Sequence, residues 1–311
     1  MTSSSAPGKI LIAGEYAVLD GGEAVVMAVN RRARAELGDQ PAELSPFLAA
    51  AARVVSEELG ADRGALVARA RVDSGPLADE SGAKLGLGSS AAAITAAVAL
   101  ALPPPGDRRL LHRVAHRAHA AAQGGTGSGA DVAASVWGGV LLCRPPDRPG
   151  DPLRIAPLSL PPDLVLVPVW LGRPADTRAL VAAMSDFARR EPAACRALYE
   201  RITRAATSLA DALRASQAIT AVWEGGVAAA ELGRAAGVEV ATEGHRRLAE
   251  RAEALGGAAK PTGAGGGDVA LGAFPDPEAA EHFRADARSL GMKVLDLSVD
   301  PDGARVESGA G

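Results

Sequence analysis

The chain is short of the residues that staple or mark a protein. It has two cysteines, Cys143 and Cys195, in 311 residues. Their spacing fits neither a disulfide framework nor a metal knuckle, so a reducing compartment is expected. Aromatic residues make up 3% of the chain, and none is interleaved with a basic run. With a net charge of −4, nothing supports a nucleic-acid or anionic-membrane surface, and positive charge for an anionic ligand has to be local. The longest apolar run, Ala91 to Leu102, is too short to span a bilayer. The opening Met1 to Ala6 is polar and lacks the charged start and separate apolar block of a secretory signal. The expected setting is the cytoplasm, without nucleic-acid or membrane partners. Lysine is scarcest of all among the charged residues: of 33 basic residues only four are lysine. Lys9, Lys84 and Lys260 each stand beside a glycine-containing turn, where a compact ammonium next to open backbone suits a phosphate. Chance placement is the plain alternative, since glycine is abundant.

What is present reads as a mixed α and β chain long enough for two domains. Lys9 to Leu19 has a strand pattern, Asp20-Gly21-Gly22 is a turn, and Ala24 to Leu37 reads as the hairpin partner. Leu44 to Leu59 has helical spacing and stops at Gly60. Ala65 to Val72 reads as a strand. Helices follow over Ala91 to Leu102, ending at Pro103-Pro104-Pro105, and over Arg108 to Ala122. Gly139 to Cys143, Leu153 to Leu158 and Leu164 to Leu171 read as short strands. The stretch from Arg144 to Pro162 holds seven of the 21 prolines, so it is turn, edge or linker. A domain boundary near residue 160 is expected, dividing 1–160 from 161–311. Helices are then expected over Asp176 to Arg190, Pro192 to Ala215, Ile219 to Ala236 and Gly244 to Leu255. Val269 to Phe274 reads as a strand, Pro277 to Leu290 as a helix and Met292 to Val299 as a last strand. The small polar tail from Pro301 reads as unstructured.

Three glycine-rich loops stand out. Lys84-Leu85-Gly86-Leu87-Gly88-Ser89-Ser90-Ala91 opens directly into a helix, whose free N–H groups and dipole would favour an anion. Ser89 and Ser90 either cap that helix or offer a hydroxyl to Mg²⁺. The loop also fits G-x-G-x-x-A, but no apolar strand precedes it and no βαβ unit follows, so a dinucleotide fingerprint is rejected. No GK[ST] follows the glycines, which excludes a Walker A loop. In Gly124 to Asp131 the single carboxylate stands at the start of a helix. It reads either as a plain N-cap or as a group that orients or deprotonates an attacking hydroxyl. Lys260 to Asp268 is either a tight connection before a buried strand or a second anion site.

Taken together these segments resemble the GHMP small-molecule kinases. The resemblance rests on Pro7-Gly8-Lys9-Ile10-Leu11-Ile12-Ala13-Gly14-Glu15-Tyr16-Ala17-Val18-Leu19, on Gly86-Leu87-Gly88-Ser89-Ser90-Ala91-Ala92, and on Gly263-Ala264-Gly265-Gly266-Gly267-Asp268. It runs from about residue 7 to residue 300. Within the family, Lys84 before Gly-Leu-Gly-Ser-Ser, the run Gly127-Ser128-Gly129-Ala130-Asp131-Val132-Ala133-Ala134-Ser135, and Lys260-Pro261-Thr262-Gly263 are similar to the phosphomevalonate kinase branch. Trp170 to Val181 also looks like a segment of that branch, departing from it at Leu171, Pro174 and Asp176.

The resemblance implies an α+β fold of two domains. The first would be nucleotide-binding and like ribosomal protein S5 domain 2, the second ferredoxin-like. It implies ATP and Mg²⁺ as cofactors and a small-molecule acceptor, phosphomevalonate, in a monomer or homodimer. Lys9 and Asp131 would be catalytic. Lys84, Gly86, Leu87, Gly88, Ser89, Ser90 and Ala91 would bind the nucleotide, with Ser90 on the metal. Lys9, Glu15, Tyr16, Ser128, Gly129, Asp131, Arg173, Lys260, Gly263, Ala264 and Gly265 would line the acceptor site, where Lys84, Lys260 and Arg173 are the candidate partners of a substrate phosphate. Some relatives carry a Mg²⁺-binding Glu on the helix before the second loop; His119 stands nearest that place here. Mevalonate kinase chemistry on an alcohol, or a non-catalytic metabolite sensor, are the alternatives.

Overall fold

The computed structural model describes residues 2–39, 44–102, 106–125 and 127–308. The proline stop expected at Pro103 to Pro105, and Thr126 of the second loop, lie outside them. The chain divides into two compact units. Unit 1 comprises Met1–Ile10, Val26–Pro157 and Ser298–Gly311, and unit 2 comprises Leu11–Val25 and Leu158–Leu297. The chain therefore crosses near residue 158, close to the proline-rich stretch, and the units also take up segments from the opposite ends of the sequence.

Unit 1 is built on β1 (Thr2–Ala13), β2 (Ala24–Leu37), β3 (Ala70–Asp73), β4 (Val140–Arg144), β5 (Arg154–Leu158) and β10 (Arg305–Ser308). These strands lie in the order β10-β1-β2-β4-β5, with β3 also paired to β2. The helices are α1 (Pro46–Leu59), α2 (Ala61–Ala68), α3 (Ser89–Ala101), α4 (Arg108–Ala122) and α5 (Ala130–Trp137). Helix α3 sits in the core: Ala91, Ile94, Ala97 and Val98 have no exposed surface. Its alanine-rich sequence follows from that position, because small side chains let neighbouring elements approach on every face.

Two expectations are corrected here. The Ala65 to Val72 strand is in fact the end of α2 followed by β3. Gly64 permits this, because a Cβ there would fall 1.8 Å from Ser56 Oγ, so α2 packs tightly on α1. The tail after Pro301 is not unstructured through residue 308. Arg305 to Ser308 pair antiparallel with Thr2 to Ser5. The Arg32 guanidinium holds the preceding turn, donating to Asp300, to Ser5 Oγ and Ser5 C=O at 3.1 Å each, and to Gly303 C=O. A charged fork that ties four partners over 271 residues of sequence separation gives no local signal.

Unit 2 carries β6 (Val165–Trp170), β7 (Ala258–Pro261), β8 (Val269–Phe274) and β9 (Lys293–Val294). Its helices are α6 (Thr177–Arg190), α7 (Pro192–Ala210), α8 (Ala215–Ala236), α9 (Glu243–Ala254) and α10 (Pro277–Ser289). The strand order β7-β8-β6-β9, with helices after the first and third strands in sequence, is the split βαβ arrangement of a ferredoxin-like domain. The strand β7 was not expected: Lys260 and Pro261, read as loop, are its last residues. The first expected strand also ends early, at Ala13, and Ala17 to Asp20 form a 3-10 turn. No described helix is long and apolar enough to cross a membrane.

Candidate active site

In unit 1 the first loop is anchored by its own leucines. Leu85 and Leu87 are buried, which leaves Lys84 on the outside, bridged through its backbone to Ala78. The backbone N–H of Lys9 donates to Leu87 C=O at 2.8 Å, and Lys9 Nζ donates to Gly86 C=O at 3.3 Å. Gly88 is the N-cap of α3 in the left-handed region, φ 73°, and no side chain caps the helix. Ser89 and Ser90 are its first two residues, so they are not caps. The first-turn N–H groups of a buried helix therefore face the loop without a capping side chain, as an anion would require.

The second loop brings up a carboxylate in the same manner. Gly129, φ 78°, is the N-cap of α5 and, being glycine, offers no side-chain cap of its own. This removes the plain reading of Asp131 as an N-cap, since Asp131 is the second residue of the helix. Its Oδ1 accepts the N–H of Val132 at 2.9 Å, and Ser128 Oγ accepts that of Ala130 at 3.3 Å. The loops meet at Gly88. A Cβ there would stand 3.0 Å from Lys9 Cγ, 3.3 Å from Lys9 Cε and 3.6 Å from Asp131 Cβ. The lysine stem, the base of the aspartate side chain and a helix N-terminus thus meet at one glycine.

Beside them lies His119 in the last turn of α4, buried, with Nε2 at 3.1 Å from Ser90 Oγ and 3.8 Å from Asp131 Oδ2. Gln123, four residues on, brings its amide nitrogen to 3.3 Å of the same Nε2, and the Phe47 ring of α1 lies 6.3 Å from the imidazole between centroids. Gln123 was not singled out in the sequence; its i+4 spacing from His119 was the available signal. His116 lines Gly129. Burial lowers its pKa, and the charge of Asp131 works against that shift.

Unit 2 holds the other expected residues. Glu15 and Lys260 form an ion pair that is fully buried, at 0% and 1% side-chain exposure. Lys260 Nζ also donates to Pro261 C=O at 2.9 Å. Gly226, in the middle of α8, makes room, since a Cβ there would be 2.8 Å from Lys260 Cβ. Lys260 is therefore not a cation awaiting a phosphate. Glu15 already cancels its charge, because a buried ammonium is stable only with such a partner. Tyr16 is buried too, and its hydroxyl donates to Ala264 C=O. Burial, then the adjacent Glu15, push its pKa up.

The third loop is sewn into its surroundings rather than left open. Gly266 N–H donates to Val240 C=O at 2.8 Å and Asp268 N–H to Arg173 C=O at 2.8 Å. Asp268 Oδ1 accepts the N–H of Ala175 at 3.0 Å. A Cβ on Gly265 would be 2.4 Å from Val240 O. Arg173 keeps an exposed side chain, 3.8 Å from Glu239.

The uncapped helix of unit 1, with a lysine and an aspartate beside it, is an arrangement of the kind that suits an anion, on an α+β frame. Residues 46–139 match the family model of the GHMP kinases N terminal domain. The phosphomevalonate kinase of Streptomyces sp. (strain CL190) is 30% identical over 94% of this chain and 96% of its own length. The mevalonate kinase of Aeropyrum pernix is 32% identical over 98% of each. A phosphomevalonate kinase from Streptococcus pneumoniae, solved with phosphomevalonate and AMPPNP, has the same fold, with a TM-score of 0.82 at 20% identity over 96% of this chain and 100% of its own. The chain belongs to the GHMP kinase family, and so to the small-molecule kinases that use ATP.

Proposed function

We propose that this chain transfers the terminal phosphoryl group of ATP to the phosphate of (R)-5-phosphomevalonate, giving ADP and 5-diphosphomevalonate. The observation that carries the reading is the meeting of Lys9 and Asp131 against Gly88, at the uncapped N-terminus of α3. Phosphoryl transfer needs alignment and charge neutralisation more than covalent chemistry. Residues Lys84 to Ala91 cradle the triphosphate, with backbone N–H groups as donors. Lys9 neutralises charge on the group in transit. The acceptor oxygen of a phosphate is already largely ionised at neutral pH, so Asp131 orients groups and takes no proton. Ser128 and Gly129 hold Asp131 in place.

Among the described residues no group of three or more His, Cys, Asp or Glu side chains gathers to hold a metal. The oxygen donors here are Ser90 Oγ and the Asp131 carboxylate, which both approach His119 Nε2. So few protein ligands fit Mg²⁺, an ion that keeps most of its shell as water and phosphate oxygen. Ser90 and Asp131 would hold it, and when bound it would offset the charge of the triphosphate.

The Streptomyces relative and the lysine ahead of the first loop support a phosphate acceptor. Arg173, Gly263, Ala264 and Gly265 are assigned to acceptor recognition in the same proposal. Lys260 and Glu15 shape the acceptor region as a neutral pair, and Tyr16 anchors Ala264. The Aeropyrum pernix relative favours a second reading in which mevalonate's alcohol is the acceptor and Asp131 removes its proton. ADP release with Mg²⁺-ATP and either 5-phosphomevalonate, mevalonate, homoserine or galactose tests both. Turnover with 5-phosphomevalonate alone is expected. Turnover with mevalonate alone replaces the first reading by the second, and no turnover with any of the four removes both.

A further inference from the structure

His119 is buried in the candidate site, yet the mechanism above gives it no role. Its Nε2 faces the Ser90 hydroxyl at 3.1 Å, the Gln123 amide nitrogen at 3.3 Å and an Asp131 carboxylate oxygen at 3.8 Å. Two ligands about 2.1 Å from one ion and at right angles to each other are about 3.0 Å apart, and opposite ligands about 4.2 Å. The Ser90 spacing fits an adjacent pair, and the Asp131 spacing falls between the two limits. The Gln123 amide nitrogen, which can only donate, stands 3.3 Å from the same Nε2, an arrangement that calls for the unprotonated nitrogen, the form that binds a metal. The imidazole is only 4% exposed on its helix, so the nitrogen is held where it is. A hydroxyl oxygen and a carboxylate oxygen thus both stand within 3.8 Å of that nitrogen.

We propose that His119 Nε2 is a direct ligand of the divalent ion that accompanies the nucleotide, and that it gives this enzyme a preference for a first-row transition ion such as Mn²⁺ over Mg²⁺. Mg²⁺ takes oxygen ligands and is reluctant to exchange them for nitrogen, whereas imidazole suits the transition ions. The inference rests on the nucleotide-binding reading of the first loop.

The test is pulsed electron paramagnetic resonance of Mn²⁺ bound to the whole enzyme with the methylene analogue of ATP. That analogue has no bridging nitrogen to confuse the spectrum. In wild type, the modulation of a directly bound imidazole nitrogen is expected, and it changes to the ¹⁵N pattern when the protein is grown with ¹⁵N-histidine. His119→Glu removes it while the nucleotide still binds. Calorimetric titration of the same ternary complex is expected to show Mn²⁺ at least about tenfold tighter than Mg²⁺ in wild type, with that ratio falling about tenfold in His119→Glu. Mn²⁺ and nucleotide binding together without histidine coupling in wild type overturns the ligand assignment alone. Failure of the nucleotide analogue to bind in any form overturns the nucleotide reading and this inference with it. The wild-type spectrum decides the matter even if the variant fails to fold.

Discussion

Replacing Gly88 by alanine disturbs the proposed catalytic lysine without touching its charge. Two effects add. The backbone at φ 73° costs an L-residue roughly 1–2 kcal/mol. The new methyl would also stand 3.0 Å from Lys9 Cγ and 3.3 Å from Cε, so the lysine stem has to move by a few tenths of an ångström. A misplacement of about 1 Å can cost on the order of a hundredfold in rate. A shift of a few tenths is therefore expected to lower kcat by about tenfold, which is about 1.4 kcal/mol of barrier. Gly82 supplies the control, because its φ is +84° and nothing lies within 4 Å of a Cβ there. Gly82→Ala carries the backbone cost alone. Thermal unfolding is expected to show a loss of a few degrees in both variants, and ADP release to show the kcat loss in Gly88→Ala only. In a Lys9→Met background, Gly88→Ala is expected to have almost no further effect on kcat, since the group it displaces is gone. Equal kcat losses in the two glycine variants, or wild-type kcat in Gly88→Ala, would refute the reasoning.

The remaining predictions concern unit 2. Lys260→Met removes the buried ammonium that neutralises Glu15 and is expected to destabilise by about 3–5 kcal/mol in urea unfolding, whereas Glu15→Leu combined with Lys260→Met recovers most of the loss; a double variant as unstable as the single one would show that the pair is not the source. His245 is held near a pKa of about 4, first by burial, with Nδ1 accepting the N–H of Thr242 at 3.1 Å. Between pH 6.5 and 4 the unfolded chain takes up a proton that the folded histidine refuses, so its contribution is complete above about pH 6.5 and is lost as pH falls, by about 3 kcal/mol in all. The stability gap between wild type and His245→Asn is accordingly expected to narrow from pH 7 to pH 4.5; a constant gap would remove this histidine from the acid response.

Much of this protein was legible in its residues taken in order. Helix α4 follows the expected Arg108 to Ala122 without change, and β8 the expected Val269 to Phe274, because helical spacing and a short apolar run are local signals. The glycine-rich loops were visible for the same reason: left-handed turns at helix starts need glycine, and Gly88 and Gly129 sit there. Lys9 and Asp131 were named as partners by family resemblance, and family membership by three ordered motifs. Tertiary structure decided the rest. That Lys260 is neutralised by Glu15, 245 residues away, depends on a mid-helix glycine in α8 that no periodicity explains. That the tail forms β10 depends on an edge of β1 needing a partner and on the reach of Arg32. That Ser90, His119, Gln123 and Asp131 converge depends on the packing of α3, α4 and α5. Sequence fixes the chemistry each side chain can offer and the turns its backbone can make. Long-range packing alone decides which charges cancel in the dry interior and which remain to meet a ligand.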